Sequence, residues 1–173
     1  MSKKILQLLA EGMAAGGHLW YEDARRAIQM QYGKRQMRRA AAVLAITSQR
    51  VHVRRNWRMA QAYMAGFPIR ALPRVLTNLQ RWEHDHIVRG PKIGPFAKAL
   101  RGDDHAVVVD IWMLRAYGLD TPTPRNVRRV ERSIRRTASQ TGMLPAQVQA
   151  AVWHATITRH GKQVARYSEM VND

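Results

Sequence analysis

Gly90-Pro91-Lys92-Ile93-Gly94-Pro95-Phe96-Ala97-Lys98-Ala99-Leu100-Arg101-Gly102-Asp103-Asp104-His105-Ala106-Val107-Val108-Val109-Asp110 is the stretch on which the reading of this chain turns. It opens on a Gly-Pro turn whose backbone N–H groups could hold a phosphate, and continues into a short helix expected near 92–101. A loop at Gly102-Asp103-Asp104 follows, then an apolar run ending in a single carboxylate. One amine, Lys92, and one acid, Asp110, thus stand eighteen positions apart on separate elements. Val107-Val108-Val109 has strand propensity, but no second strand is available, and a lone strand leaves its backbone groups unsatisfied. The run is therefore expected as an extended lead-in to a helix over 110–118.

The flanking sequence is helical by its spacing. Ile5, Leu8, Leu9 and Met13 lie on one face of a helix over 3–14 that Gly16-Gly17 terminates. A basic amphipathic helix over 21–32 is expected to stop at Gly33, and the apolar run Ala40 to Ile46 marks a helix over 35–46 buried on most sides. Ser48 is a candidate cap for a further helix through Ala65, stopped by Gly66 and Pro68. Leu72, Val75, Leu76 and Leu79 share a face over 70–82. Thr121-Pro122-Thr123-Pro124 is a stop, and helices over 125–139 and 145–160 complete the chain. The fold class expected is all-α, with about eight to ten short helices.

Composition narrows the partner. The 173 residues suffice for one well-buried domain or two small lobes, and 46% hydrophobic content is too high for a disordered basic tail. The formal net charge is +17, and 23 of the 29 basic residues are Arg. Charge of that size costs self-repulsion without an anionic partner, and the planar Arg fork suits phosphate. No apolar stretch approaches the roughly 20 residues a membrane span needs, and no signal-peptide core is seen. With no Cys in the chain, disulfides, thiol catalysis and iron–sulfur clusters are excluded. A cytoplasmic, nucleoid-associated location is expected.

Each motif also has a plain structural reading. A Gly-Pro turn can simply join two helices. Asp110 ahead of an apolar helix can be an N-cap, yet an ionised carboxylate held by helix-end donors also stabilises positive charge developing on a sugar. Lys92 can be an ordinary phosphate contact. To act as a nucleophile it must lose its proton, which desolvation or a neighbouring cation such as Arg89 would favour. His84-Asp85-His86 resembles a metal motif, but residues two apart on a helix face different ways. His105 sits in a loop where it could touch substrate. Trp112, Met113 and Tyr117 suit a core, and the basic run Arg125 to Arg136 reads as a solvated helix face near DNA.

In this order the residues resemble the helix-hairpin-helix (HhH-GPD) DNA glycosylase superfamily, most closely its endonuclease III-like branch. Gly90, Lys92, Gly102, Val109-Asp110 and Arg115 match the order of that family's glycine hairpin, lysine, glycine loop, aspartate and following helix. Ala41 to Gln49 is similar to its apolar helix ending in Ser-x-Gln; Val53, Asn56, Asn126 to Glu131, and Val152 through Gly161 continue the likeness. About 120 residues are covered. The resemblance implies N-terminal helices over 1–39 packing on the core, a glycosylase-like core over 40–161 with its hairpin at about 87–94, and a C-terminal tail over 162–173. Two helical lobes would flank a cleft.

The same resemblance assigns roles. Lys92 would attack the sugar carbon, Asp110 would stabilise charge and shuttle a proton, and Gln49 would fill the gap left by an extruded base. DNA would be held by Gln49, Arg50, Arg89, Gly90, Pro91, Gly94 and Arg115, with His105 and Trp112 at the substrate pocket. The partner implied is double-stranded DNA, met by a monomer. No metal and no cofactor are implied, although a monovalent cation at the hairpin is conceivable. Departures from the pattern are Val88 where the first hairpin glycine usually stands, His52 in place of an acidic residue, and Trp112 where many relatives have His. The compact length fits a stripped-down variant such as phages carry. The function expected is a DNA glycosylase with β-lyase capacity. A base-modifying enzyme on hypermodified DNA and a non-catalytic DNA-binding protein are the alternatives.

Overall fold

All regular structure among the described residues, 2–171 of this computed structural model, is helical, and no strand forms. Eight α-helices follow in order: α1 (Lys3–Ala14), α2 (Trp20–Thr47), α3 (Val53–Met64), α4 (Pro73–Asp85), α5 (Ile93–Leu100), α6 (Ile111–Ala116), α7 (Pro124–Thr141) and α8 (Pro145–Arg159). Short 3-10 turns cover Gly17–Leu19 and Tyr167–Met170. Within the described residues, contacts divide the chain into two units. The first runs to Glu22 and again from Gly102 to Val164, and the second runs from Asp23 to Arg101 and again from Ala165 onward.

In the first unit, α1 buries Ile5, Leu8, Leu9 and Gly12, the i, i+3, i+4, i+7 stripe of an amphipathic helix. Ile5, Leu8 and Leu9 join Val107, Val109, Met113, Leu114, Val130, Ile134, Val148 and Val152 in one apolar core. Helix α1 approaches α8 so closely that a side chain on Gly12 would stand 2.5 Å from the carbonyl carbon and 2.8 Å from the Cα of Ala151. Gly12 is therefore the contact that lets the two backbones meet. On the outer side of the same pair, the Arg159 guanidinium grips the Glu11 carboxylate with both forks, at 2.7 and 2.6 Å. Val107 to Val109 are buried but unpaired with any strand, as an extended lead-in to α6.

The second unit is organised by the C-terminal half of α2, where every residue from Ala40 to Thr47 is buried. Asn56 on α3 ties that helix end down: its amide donates to the Leu44 carbonyl at 3.0 Å and the Thr47 hydroxyl at 2.8 Å. The Tyr167 hydroxyl donates to the Asn56 carbonyl oxygen, and the Tyr167 ring lies 5.0 Å from that of Trp57. A buried amide with all these partners fixes one arrangement of three segments. Within the segment expected as a C-terminal tail, Tyr167 and Met170 are buried.

Two local readings need correction. The helix expected to stop at Gly33 is interrupted there, with φ 70° and ψ 167°, but the chain resumes helical geometry at once. Glycine alone adopts such a backbone readily, so it kinks the path without ending it. Ser48 does not cap the next helix. Its hydroxyl donates back to the Ala45 carbonyl at 2.8 Å, and His52 is the N-cap, its ring nitrogen accepting from the Arg54 N–H at 3.4 Å. The turn between them is made by Arg50, a non-glycine residue at φ 57°.

Candidate functional site

Helices α4 and α5 are joined by a tight turn in the second unit. Helix α4 ends when His86 adopts a left-handed conformation at φ 57°, its N–H still bonded to the Trp82 carbonyl at 2.7 Å. The Asp85 carboxylate then organises the turn. One oxygen accepts from the Ile87 N–H at 2.9 Å, and the other meets the Arg89 guanidinium at 2.6 Å. The Ile87 hydrogen bond, and after it Arg89, hold this carboxyl below its ordinary range against the opposing effect of partial burial. Gly90 follows at φ 120°, a backbone that only glycine accepts without strain. Its carbonyl takes the Gly94 N–H at 3.0 Å, and the Lys92 carbonyl takes that of Phe96 at 3.1 Å, so the turn feeds straight into α5.

Lys92 is the residue immediately ahead of α5 and is half-buried, whereas Arg89, Gly90 and Pro91 are exposed. Gly94, in the first turn of α5, is half-buried. Arg89 is thus present at the hairpin, but its charge is turned back onto Asp85. Gln49, in the turn after α2, folds its amide onto the Ile46 carbonyl at 3.2 Å, while the neighbouring Arg50 is exposed.

Asp110 stands in the first unit as the N-cap of α6. One carboxylate oxygen accepts the backbone N–H groups of Trp112 at 2.9 Å and Met113 at 3.0 Å. The other accepts the indole N–H of Trp153 on α8 at 3.0 Å. Two helix-end donors and one side-chain donor thus fix the half-buried carboxylate in place at the head of α6. Trp153 is in turn fixed edge-on against Trp20, ring centres 5.5 Å apart.

Beside this cap, the half-buried Trp112 ring carries cations. The Arg115 guanidinium lies 4.6 Å from its centre and the Lys162 ammonium 5.2 Å, while His160 meets it edge-on at 5.3 Å. His105 is exposed: its N–H donates to Asp103, and its carbonyl accepts from Arg135 at 2.9 Å. Asp110, Trp112 and Arg115 are therefore gathered on α6, with Lys162 and Trp153 added from the far end of the chain. Lys92 and the hairpin residues belong to the other unit. Neither Trp153 nor Lys162 is legible as a site residue in the sequence, because nothing local connects position 153 or 162 to position 110 or 112. Among the described residues, no three His, Asp or Glu side chains group closely enough to hold a metal ion. No helix among the described residues is long and apolar enough to cross a membrane.

No curated protein and no solved structure matches the chain. A family model does match, over residues 4–162, which takes in both the hairpin and the Asp110 cap. By that match the chain belongs to the family described as Family of unknown function (DUF7178).

Proposed function

We propose that this protein is a DNA base-excision enzyme: a glycosylase with an AP β-lyase step, built as a compact helix-hairpin-helix glycosylase-like fold whose two lobes flank a cleft. The observation that carries this reading is the α4–turn–α5 hairpin, in which Gly90 at φ 120° sets the half-buried residue Lys92 at the start of a helix. The exposed Gly90, with no side chain, lets a phosphate approach the backbone of the turn closely.

In the proposed reaction a nucleotide is flipped from the duplex, at a cost of a few kcal/mol. The neutral Lys92 amine forms a bond to C1′ as the C1′–N bond to the base breaks, and the base leaves with a proton. The remaining N–H proton then passes to O4′ as the C1′–O4′ bond breaks, which opens the sugar ring and leaves a C1′=N Schiff base. Removal of a C2′ proton then expels the 3′ phosphate. Asp110, held in place by its three N–H donors, stabilises the cationic sugar and relays the proton. Gln49 fills the gap left in the stack. Trp112, His105 and Arg115 border the base, and Arg50 and Arg89 meet phosphates.

One observation favours a second reading, a non-catalytic DNA-binding protein. Both oxygens of Asp110 already have structural donors, as a pure helix cap would. A panel of duplexes carrying abasic, damaged or modified bases separates the cases. Glycosylase action releases free base and nicks the strand, and base modification leaves an altered nucleoside by mass spectrometry. An unchanged panel, with duplex binding intact, leaves only the binding protein.

A further inference from the structure

Helix α7 carries six arginines, at 125, 128, 129, 132, 135 and 136, and all six are exposed. At about 100° per residue they fall within an arc of roughly 120°, with Arg125, Arg129, Arg132 and Arg136 within about 60° of one another. Val130, Ile134 and Ala138 occupy the opposite face and are buried in the first-unit core. The helix is therefore anchored by one side and presents the other as a continuous cationic ridge.

These charges are not consumed within the fold. Among the described residues, no carboxylate makes an ion pair with any of them. The bonds they do make run to main-chain carbonyls: Arg132 to Arg128 at 3.4 Å and Arg135 to His105 at 2.9 Å. A groove of about 460 Å³ opens between Arg125, Asn126, Arg129 and Arg132. Six unneutralised guanidinium groups on one helix repel one another, a cost that an anionic partner removes.

We infer that the exposed face of α7 is a second binding surface, for the phosphodiester backbone of duplex DNA. The inference rests on the DNA-binding part of the proposed function and not on its chemistry. The spacing fits a polymer. From Arg125 to Arg136 the ridge runs about 16 Å, the axial length of about five successive phosphates on one strand at roughly 3.4 Å each. An all-arginine ridge suits phosphate, which the guanidinium fork binds through two hydrogen bonds. A membrane surface fits poorly. No large apolar side chain of α7 is exposed, so the helix has nothing to insert between acyl chains.

The test is the salt dependence of duplex affinity, read by fluorescence anisotropy of a labelled abasic duplex with the full chain. Each phosphate contact contributes about 0.9 to the slope of log K against log salt. Changing Arg125, Arg129, Arg132 and Arg136 together to Gln should lower that slope by about two to four. The smaller pair Arg129→Gln and Arg132→Gln should lower it by about one to two, with helix content by circular dichroism unchanged. The control pair Lys3→Gln and Lys4→Gln, on exposed α1 positions, should move it by less than half a unit. A slope that both arginine variants leave unchanged, or that the control lowers equally, overturns the α7 surface while leaving the hairpin reading intact. No duplex binding by the wild-type protein, or binding to phosphatidylserine vesicles in its place, overturns both.

Discussion

Replacing Asp110 with Asn isolates the electrostatics of the α6 cap, because the new side chain has the same shape and one acceptor fewer. Whichever way the amide turns, one site is spoiled. If its oxygen keeps the Trp112 and Met113 N–H groups, its NH₂ faces the Trp153 indole N–H, donor against donor across 3.0 Å. The loss is a charge-assisted hydrogen bond, about 1.5–3 kcal/mol, plus about 0.3–1 kcal/mol of carboxylate–helix dipole attraction. Asp110→Asn should therefore destabilise the protein by about 2–4 kcal/mol. Trp153→Phe removes the same bond from the other side and costs about 2 kcal/mol, including lost packing against Trp20. In the double variant the donor–donor conflict is gone. Its total loss should fall short of the sum of the single losses by about 1.5–2 kcal/mol. Urea unfolding of the four proteins, followed by far-UV circular dichroism, measures this directly. Losses that add to within about 0.3 kcal/mol would show that the indole does not hold Asp110 and that the carboxylate is not pinned from α8.

Two further outcomes follow from the packing of α1 on α8. Gly12→Ala puts a methyl group 2.5 Å from a backbone carbon of Ala151, which no rotamer can relieve. The helices must separate, and a loss of about 3 kcal/mol in urea unfolding is expected, at the top of the usual overpacking range; a loss below about 1 kcal/mol would refute the close approach. The Glu11 carboxyl is held below its usual value near 4.5, first by its hydrogen bond from Arg159. A depressed folded-state pKa stabilises above the unfolded value and ceases to do so as pH falls through the folded one. Arg159→Gln should thus have a lower urea midpoint than the wild type at neutral pH, the gap closing as pH falls below about 4.5. An undiminished gap at about pH 3 would contradict the pairing.

The sequence discloses those elements whose signals are local. Pro73, Pro124 and Pro145 each stand at the first position of a helix, and the Ile5, Leu8, Leu9 stripe marks the buried face of α1. Thr123 caps α7 through the Asn126 N–H. The α3 boundary was less accessible, since a serine at 48 looks like a cap while the observed cap is a histidine preceded by a left-handed arginine. The same rule governs the site. That Asp110 caps a helix can be read from its place before Ile111-Trp112-Met113-Leu114, because a cap acts within three residues. Its partnership with Trp153, 43 positions away, depends on how α6 meets α8, and no local pattern encodes that. Gly12 was equally silent. A glycine inside a helix lowers propensity, and only the neighbouring helix shows why none other fits.

Whether Lys92 is a nucleophile can be measured by borohydride trapping on a duplex containing an abasic site. Reduction of a Schiff base would couple protein to DNA in a covalent species that survives denaturing electrophoresis. That species is expected for the wild-type chain, with its loss in Lys92→Ala and peptide mapping of the crosslink to Lys92. A wild-type protein that binds the abasic duplex yet yields no adduct, or a Lys92→Ala variant trapped as efficiently as its parent, would contradict it.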